Sequence, residues 1–357
     1  MKKGYFSKII VDWYLVHRRP LPWRNTPDPY KIWLSEIILQ QTRVAQGLPY
    51  YKKFIQHYPT VRSLAKANER DILRLWQGLG YYTRARNLRQ CAREVVENFN
   101  GKFPATPDVL RRLPGIGDYT AAAIASIAFQ VPAAVVDGNV YRVLSRVFGI
   151  RENIASGPGK KFFFEFANQL LPTSDPGIYN QAVMEFGALH CLPKNPRCVA
   201  CIFRNDCFAF RHERQEELPV NIRQLKITRR HFYYFFFRNG NRILMKKRQG
   251  NDIWKGLFDF PYVEAKRRTD PAKIISACFP QVVSLKASGN LQVSKDYRHV
   301  LTHQIIQARF VEVEWLAGKT LPASLSYGTE QWYSIPQIEK LPKPVLISRY
   351  LSDRDVL

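Results

Sequence analysis

Apolar residues recur at spacings of three and four between Pro29 and Ala209. Such spacing predicts amphipathic helices, and it is clearest in three stretches: PYKIWLSEIILQQTRV, PTVRSLAKANERDILRLW and YTRARNLRQCAREVVENF. Asn68 followed by Glu69 is typical of a helix start. Because the alternation typical of strands is scarce here, this region is expected to be all-helical.

The pattern changes in the last third of the chain. HFYYFFFRNGNRILMKKR consists of two apolar runs around Asn239-Gly240, a pair that strongly favours a hairpin turn. HVLTHQIIQARFVEVEW alternates like one further strand, and IEKLPKPVLISRYLS predicts a closing helix. Residues 211–230 are rich in Lys and Arg and indicate a basic linker. The expected fold is therefore multi-domain, an all-α region followed by a C-terminal α+β domain.

Charge narrows the range of partners. The chain has 54 Lys and Arg against 29 Asp and Glu, which gives a formal net charge of +25. An excess of this size predicts a polyanionic partner, nucleic acid before an anionic membrane. No apolar run approaches the roughly 20 residues of a membrane span, and the first residues lack a signal-peptide pattern. A soluble, cytoplasmic protein is expected.

Four of the six cysteines are clustered, with the spacing C-x6-C-x2-C-x5-C. A disulfide framework would spread its cysteines more evenly, so the clustering favours a metal centre in a reducing compartment. Proximity alone leaves zinc and an iron-sulfur cluster about equally matched. The four residues are Cys191, Cys198, Cys201 and Cys207.

The stretch LRRLPGIGDYTAAAIASIAF combines a tight turn with a helix of small residues. Gly115 and Gly117 permit positive φ angles and close backbone approach, and the helix start that follows suits a DNA phosphate. An ordinary helix-turn-helix corner is the alternative. Tyr119 is expected just inside this helix.

Two carboxylates are candidates for catalysis. On a helix, Glu36 shares a mostly apolar face with Ile32 and Trp33, and burial there would raise its pKa and suit a general acid. The alternative is a buried glutamate paired with Arg24 or Arg43. Asp137 ends an apolar stretch before Gly-Asn, where a turn former or helix cap is the alternative interpretation.

Together these segments resemble the MutY family of adenine DNA glycosylases, in the endonuclease III (helix-hairpin-helix) superfamily. The resemblance is carried in order by LPWR, SEIILQQTRV, GLGYYTRARNL, LPGIGDYTAAAI, VVDGNVYRVLSR, NQAVMEFGALHC and the four-cysteine loop. It implies base excision repair in which adenine opposite 8-oxoguanine or guanine in double-stranded DNA is hydrolysed from its sugar, leaving an abasic site. The protein is expected to act as a monomer.

The resemblance also implies a domain plan and a cofactor. Residues 25–130 would form a six-helix domain that contains the helix-hairpin-helix. Residues 1–24 with 131–210 would form a domain whose four clustered cysteines hold a 4Fe-4S cluster, in a structural role. Residues 231–357 would form a Nudix-like domain that recognises 8-oxoguanine.

Site residues follow from the same resemblance. Glu36 would protonate adenine N7, and Asp137 would stabilise the sugar cation with Tyr119 and Asn139 orienting it. Bifunctional relatives have a lysine at the Tyr119 position; a phenol cannot form the Schiff base, so no strand cleavage is expected. The adenine pocket would contain Trp23, Arg24 and Gln181, the wedge in the duplex Gln41 and Tyr81, and the phosphate turn Gly115 and Gly117.

The last third departs from a Nudix hydrolase. Asp259, Glu264 and Asp270 are too sparse for a Mg²⁺ site, so a pyrophosphatase activity is rejected. Leu301, Thr302 and His303 stand where the family usually has Phe-Ser-His. Thr302 keeps the hydroxyl expected to contact 8-oxoguanine beside His303, whereas Leu301 lacks the aromatic ring.

Two other functions remain open from the sequence. A glycosylase of the same fold could act on another base, such as thymine opposite guanine. A catalytically silent protein could use the basic surface for DNA binding alone, although two carboxylates together with Tyr119 argue against that interpretation.

Overall fold

The computed structural model describes residues 3–222, 227–250, 252–278, 292–314 and 325–357. The chain forms two compact units. The first contains Met1–Lys66 and Asn87–Gln224, and the second contains Ala67–Arg86 and Leu225–Leu357. The second unit thus includes a helical segment from the middle of the first region, which no pattern in the sequence indicated.

The described part of the first two thirds is helical, as expected. The helices are α1 (Lys3–His17), α2 (Pro29–Leu39), α3 (Val44–His57), α4 (Val61–Lys66), α5 (Glu69–Leu75), α6 (Thr83–Phe99), α7 (Pro107–Leu110), α8 (Asp118–Phe129), α9 (Gly138–Phe148), α10 (Gly157–Leu170), α11 (Pro176–Leu189) and α12 (Phe208–Arg211), with a 3₁₀ turn at Pro22–Arg24. Asn68 caps α5 by accepting a hydrogen bond from the Arg70 amide, which confirms the predicted helix start.

Small residues let the helices around the site approach closely. Most of α8 is a buried run of alanines and other small side chains. A Cβ on Gly177 of α11 would lie 2.6 Å from the Ser126 carbonyl oxygen, and one on Gly187 would lie 2.6 Å from the Asn139 Cβ. These glycines allow α11 to pack directly against α8 and the start of α9. The turn before α8 and the start of α9 are thereby held beside α11.

A second packing group stabilises α9. Its buried Val143 and Leu144 join Phe6 of α1, Phe163 of α10 and Phe186 of α11 in one apolar core. Burying five such side chains contributes on the order of 10 kcal/mol before the entropy of ordering them is subtracted. This core supports the cysteine loop, which follows α11.

The described part of the second unit contains a mixed sheet and, after the strands begin, the helices α13, α14 and α15. Its elements are β1 (Thr228–Asn239), β2 (Arg242–Lys247), β3 (Phe258–Asp259), β4 (Tyr262–Ala265), α13 (Pro271–Cys278), β5 (Gln292–Val293), β6 (Tyr297–Val300), β7 (Gln304–Glu314), β8 (Glu330–Ser334), α14 (Ile335–Lys340) and α15 (Val345–Asp353). The main strand order is β3-β2-β1-β7-β5, and β1 runs parallel to β7. The expected α+β domain is confirmed.

Three details differ from expectation. Asn239 pairs with Arg242, so the hairpin turn is formed by Gly240-Asn241, with Gly240 at a φ of 54°. The single strand expected around residues 299–315 is a hairpin, β6 and β7, because the chain reverses at residues 301–303. The closing helix is divided into α14 and α15 by Leu341-Pro342-Lys343-Pro344, since proline cannot continue a helix.

The basic linker predicted at residues 211–230 is shorter and better anchored than expected. Its last three residues belong to β1. Leu218 is buried, the Ile154 amide donates to the Val220 carbonyl at 3.0 Å, and Arg146 Nε donates to the Leu218 carbonyl at 3.0 Å. Among the described residues, no helix is long and apolar enough to span a membrane.

Candidate active site

The predicted catalytic and pocket residues line one cavity in the first unit. Its volume is about 180 Å³, several times the roughly 30 Å³ share of one liquid water molecule. It is therefore large enough for more than a bridging water. The lining includes Trp23, Arg24, Glu36, Tyr119, Asp137, Asn139 and Gln181.

Glu36 is a buried acid in the last turn of α2. Its side chain lies among apolar residues because the α2 face that carries it packs inward. Burial raises the pKa of Glu36 to about 7, and the nearby Asp137 also raises it, whereas the Tyr119 hydrogen bond and Arg24 lower it. The carboxyl can therefore hold a proton at neutral pH, as a general acid must.

Asp137 is held at the start of α9. Oδ1 accepts from the amides of Asn139 and Val140, both at 2.8 Å, and Oδ2 accepts from the Asn139 side-chain amide at 2.8 Å. Asp137 is thus a helix cap, as the alternative interpretation expected, but it also lines the cavity. Burial raises its pKa, although these hydrogen bonds favour the charged form.

Tyr119 is the second residue of α8, as predicted. Its hydroxyl donates to Oε2 of Glu36 at 2.8 Å and lies 3.4 Å from the Met184 sulfur. Burial and the neighbouring carboxylates raise its pKa well above the ordinary value, so the phenol stays neutral. The residue at this position is a neutral hydrogen-bond donor and contains no amine.

The alternative that Glu36 pairs with an arginine is not observed. Arg43 is exposed, and both terminal nitrogens of Arg24 donate to Glu185 at 2.7 Å. Arg19 binds the same carboxylate through Nε at 2.9 Å and Nη2 at 2.6 Å. Neither Glu185 nor Arg19 was predicted from the sequence. The available signal for Glu185 was an acid within the otherwise apolar stretch AVMEFGAL.

Aromatic and amide groups complete the predicted adenine pocket. Trp23 is buried in the 3₁₀ turn, edge-on to Tyr51 with ring centroids 4.9 Å apart. Gln181 accepts from the Tyr14 hydroxyl at 3.1 Å. Both side chains line the cavity, so the structure brings together the residues predicted for the pocket.

The two predicted wedge residues share an unusual backbone conformation. Gln41, in the loop between α2 and α3, has a φ of 55°, and Tyr81 has a φ of 48°. Both are exposed. The left-handed region is uncommon for residues with a Cβ, and outliers often lie at functional positions. Gln41 belongs to the first unit and Tyr81 to the second.

Within the second unit, Tyr81 contacts Thr302, the residue predicted to bind 8-oxoguanine. The Tyr81 and Thr302 hydroxyls form a short hydrogen bond, and both residues are exposed. The His303 backbone carbonyl accepts from the Thr228 amide and hydroxyl at 3.0 and 3.1 Å, while the His303 side chain remains exposed. Thr302 therefore lies in the turn between β6 and β7, correcting its placement within one continuous strand.

The two glycines of the predicted phosphate turn differ. Gly115 has a φ of 78°, and a Cβ there would lie 2.8 Å from the Asn87 Cβ, so glycine is required. Gly117 has a φ of −95°, which any residue adopts, and its predicted positive φ is wrong. It nevertheless leaves open space at the start of α8, because no atom lies within 4 Å of a Cβ built there.

The four clustered cysteines line one pocket, and none of them forms a disulfide bond. Burial raises the pKa of Cys201 to about 12, and the other three thiols add to the rise because they lie nearby. Among the described residues, no three Cys, His, Asp or Glu side chains are arranged to hold a single metal ion. Metal binding would require the thiolate forms.

Arg142 of α9, which was not predicted from the sequence, links this loop to the predicted catalytic residues. Nη2 donates to the Asn139 side-chain oxygen at 2.8 Å and to the Gly187 carbonyl at 2.7 Å, and Nε donates to the Cys191 carbonyl at 2.7 Å. Asn139 in turn binds Asp137. A continuous chain of hydrogen bonds therefore joins Cys191 to the Asp137 carboxylate.

The three carboxylates considered above for a Mg²⁺ site each pair with another group of the Nudix-like domain. Asp259 is fully buried and forms ion pairs with Lys246 and Arg248. Glu264 pairs with Arg230, and Asp270 accepts from the Ala272 amide at 2.9 Å, at the start of α13. None of these three carboxylates is therefore left unpaired, and the absence of a hydrolytic Mg²⁺ site stays a prediction.

Comparisons with known proteins agree with this geometry. Residues 34–167 match the HhH-GPD superfamily base excision DNA repair protein family, and residues 233–353 match a NUDIX domain. Adenine DNA glycosylase of Buchnera aphidicola subsp. Baizongia pistaciae is 34% identical over 346 residues, covering 95% of this chain and 94% of that protein. The human adenine DNA glycosylase is 42% identical over 222 residues, 60% of this chain and 41% of that protein.

Solved structures resemble the helical part. A thermostable thymine-DNA glycosylase superimposes with a TM-score of 0.53 at 31% identity, covering 59% of this chain and 97% of that one. A non-covalent endonuclease III-DNA complex gives a TM-score of 0.52 at 22% identity, over 60% of this chain and 98% of that one, and supports the fold alone. With a relative matched along nearly its whole length, the chain is a DNA glycosylase of base excision repair that belongs to the MutY family of adenine DNA glycosylases.

Proposed function

We propose that this enzyme hydrolyses the N-glycosidic bond of adenine opposite 8-oxoguanine or guanine in double-stranded DNA and leaves an abasic site. The main support for this reaction is the cavity that Glu36, Asp137 and the neutral Tyr119 line together. The adenine DNA glycosylases to which the chain is similar support the choice of base.

The cavity residues divide the chemistry between them. The adenine must leave the base stack before it can enter the cavity, where Trp23, Arg24 and Gln181 offer apolar, cationic and amide surfaces. Glu36 donates its proton to N7, which makes the base a better leaving group. The charge of Asp137, oriented by Asn139, stabilises the cationic sugar that develops as the bond between C1′ and N9 breaks. A water molecule then adds to C1′ and gives its proton to the ionised Glu36, which yields the abasic site.

Tyr119 supports a reaction without strand cleavage. Its hydroxyl holds the Glu36 carboxyl, and it has no amine that could attack the sugar and form an imine. The proposed product is therefore an intact strand with an abasic site.

Recognition of the opposite strand is assigned to the second unit. Tyr81 and Thr302 present a joined pair of hydroxyls at an exposed position, with the His303 side chain exposed next to it. Inserting an aromatic side chain into a duplex leaves neighbouring bases unstacked, so hydroxyls beside it can contact a base edge. We assign to Thr302 and His303 the contacts that distinguish 8-oxoguanine from guanine.

The four-cysteine pocket is assigned a 4Fe-4S cluster rather than a single zinc ion. Four-cysteine zinc sites usually consist of two Cys-x2-Cys pairs, and only Cys198 and Cys201 have that spacing here. Cys191, Cys198, Cys201 and Cys207 would hold it. The group would fix the loop that carries Lys194 and Arg197, so that these cations can meet DNA phosphates.

Thymine opposite guanine is the second candidate substrate, favoured by the likeness to the thymine-DNA glycosylase structure. Adenine is preferred because the relatives that match most of the chain are named for it. Action as a cytoplasmic monomer is part of the proposal, since one chain contains the complete set of cavity residues.

The test uses the full chain on labelled duplexes that contain A·8-oxoguanine, A·G, T·G or A·T, analysed with and without hot alkali. Breaks at adenine in the first two duplexes that require alkali would support a monofunctional adenine glycosylase. Breaks without alkali would overturn the role of Tyr119. Product from T·G alone would favour the second candidate, and salt-dependent binding without product would favour a silent DNA-binding protein.

A further inference from the structure

Glu185 is a buried carboxylate beside the cavity that the proposed chemistry does not use. It lies on α11, and its side chain is 1% exposed. A buried charge of this kind is costly unless it is paired. Arg19 and Arg24 each donate to both of its oxygens, at distances between 2.6 and 2.9 Å. Although burial alone would raise it, these hydrogen bonds lower the pKa of Glu185 to about 2.

All three members of this arrangement line the cavity that contains Glu36. The Arg24 side chain is only 9% exposed, so little solvent screens its charge. A positive charge beside Glu36 favours the ionised carboxylate, and Arg24 does lower the pKa of Glu36. Two guanidiniums with one carboxylate leave one net positive charge near the cavity, where two would remain without Glu185.

The other groups that face Glu36 are few. Tyr119 approaches from α8 and donates to Glu36, and Asp137 approaches from the start of α9 and raises its pKa. Arg24, from the 3₁₀ turn, is the cation that acts on Glu36. Glu185 is the acid that binds this cation through both terminal nitrogens.

We propose that Glu185 is a positioning residue of the active site: it fixes the Arg24 guanidinium and offsets its charge, so that Glu36 remains protonated at neutral pH. This inference rests on the proposed role of Glu36 as the general acid. It predicts that the charge balance of the Arg19-Glu185-Arg24 group sets the pH range of excision.

The first test is the pH profile of single-turnover excision by Glu185→Gln, with enzyme in excess so that binding does not limit the rate. Losing the negative charge should move the alkaline limb to lower pH by about one unit, so that the rate falls about tenfold at about pH 8 and less than about threefold at about pH 5.5. Glu165→Gln is the matched control, because Glu165 is exposed on α10 and pairs only loosely with Lys161. Its profile should match that of the unaltered protein.

Arg19→Gln removes a positive charge instead of a negative one, so it should shift the pH profile in the opposite direction. It also tests the inference if Glu185→Gln fails to fold. Arg19 is the more exposed of the two arginines, and its removal leaves a neutral Arg24-Glu185 pair. The alkaline limb should then move to higher pH. Unchanged profiles in both variants, or a loss that is the same at every pH, would overturn the inference.

A second readout does not depend on the base excised. The infrared C=O stretch of protonated Glu36, assigned by its disappearance in Glu36→Gln, should titrate at lower pH in Glu185→Gln and at higher pH in Arg19→Gln. If adenine is not excised but this titration shifts as expected, the proposed function fails and the inference stands. If adenine is excised and the titration does not shift, the inference alone fails.

Discussion

The Tyr119 hydroxyl donates a 2.8 Å hydrogen bond to Oε2 of Glu36 and so joins the start of α8 to the last turn of α2. The donor keeps its proton because burial and the neighbouring carboxylates raise its pKa. Tyr119 thus orients the carboxyl while opposing, in part, the effect of burial on it. This relationship makes separate predictions for the two residues.

Tyr119→Phe should slow excision and change its pH range. The hydrogen bond lowers the pKa of Glu36, so its loss should move the alkaline limb of the rate to higher pH. The carboxyl would also lose its orientation, and we expect a rate roughly tenfold lower on the plateau, the equivalent of one net hydrogen bond. Single-turnover rates across the pH range measure both effects. A lower rate with no shift of the alkaline limb would contradict the hydrogen bond from Tyr119 to Glu36.

Glu36→Gln should abolish excision but stabilise the protein at alkaline pH. The pKa of Glu36 is raised from an ordinary value of 4.5 to about 7, so the unfolded state loses this proton before the folded state does. Stability therefore falls as pH rises from about 4.5 to about 7, by roughly 3 kcal/mol in total, and stays lower above that range.

Glutamine cannot ionise, so the variant should avoid this loss. Denaturant unfolding at about pH 8 should give a higher free energy of unfolding than for the unaltered protein, and the two should agree at about pH 4.5. Equal stabilities at both pH values would mean that Glu36 is not held protonated. DNA binding should persist, because the charge that contacts phosphates is elsewhere.

The sequence predicted the cavity residues better than the contacts among them. Helical spacing placed Glu36 on a buried face, and the joint motifs selected Asp137 and Tyr119, which indeed line one cavity. Glu185 was not predicted because the two arginines that bind its carboxylate are more than 160 residues away along the chain. No local pattern indicates such a pairing.

In the fold, too, local structure was predicted from the sequence and tertiary contacts were not. Helix and strand types were predicted from periodicity, which reports local burial. The inclusion of Ala67–Arg86 in the second unit depends on tertiary contacts such as that of Gln77, which accepts from the Lys343 amide at 3.0 Å. The reversal at residues 301–303 also escaped prediction, because Leu-Thr-His contains neither glycine nor proline to mark a turn.

Arg142→Met should disturb both the cysteine loop and Asp137, the proposed catalytic aspartate. Methionine retains much of the apolar stem but removes the donors to Asn139, Gly187 and Cys191. With buried acceptors left unpaired, the free energy of unfolding should fall by roughly 2–4 kcal/mol. Excision should fall more than DNA affinity does, because Asn139 no longer fixes Asp137.

Arg93→Met is the control for Arg142. Arg93 lies on α6 and forms an exposed pair with Glu97 at 3.4 Å, so its replacement should change stability by less than about 1 kcal/mol. Similar losses in the two variants would show that the Arg142 effect comes from arginine loss in general rather than from its contacts.

Thr302→Val should reduce the preference for 8-oxoguanine over guanine. Valine keeps the shape of threonine but cannot bond the Tyr81 hydroxyl or a base edge. We expect the ratio of excision rates on A·8-oxoguanine and A·G to fall about threefold to tenfold, the value of one hydrogen bond. Thr329→Val is a matched control in the same unit, because its hydroxyl donates to the Lys247 carbonyl at 3.1 Å, away from Tyr81 and Thr302 along the chain. An unchanged ratio would remove Thr302 from the recognition site.

Cys198→Ser should separate an iron-sulfur cluster from a zinc site and from an unmetallated loop. The residue is half-exposed and lines the four-cysteine pocket, so its own packing contributes little. If the four thiolates hold a 4Fe-4S cluster, the purified protein should contain about four iron atoms per chain and absorb visible light, and the variant should lose both. Loss of the cluster should also lower stability, because Arg146 ties this loop to the segment around Leu218 through the Leu192, Pro193 and Leu218 carbonyls.

Cys91→Ser, at a fully buried thiol of α6 outside the pocket, should lower stability while leaving iron and absorption intact. Zinc without iron in the unaltered protein would overturn the cluster assignment and retain the four-thiolate site.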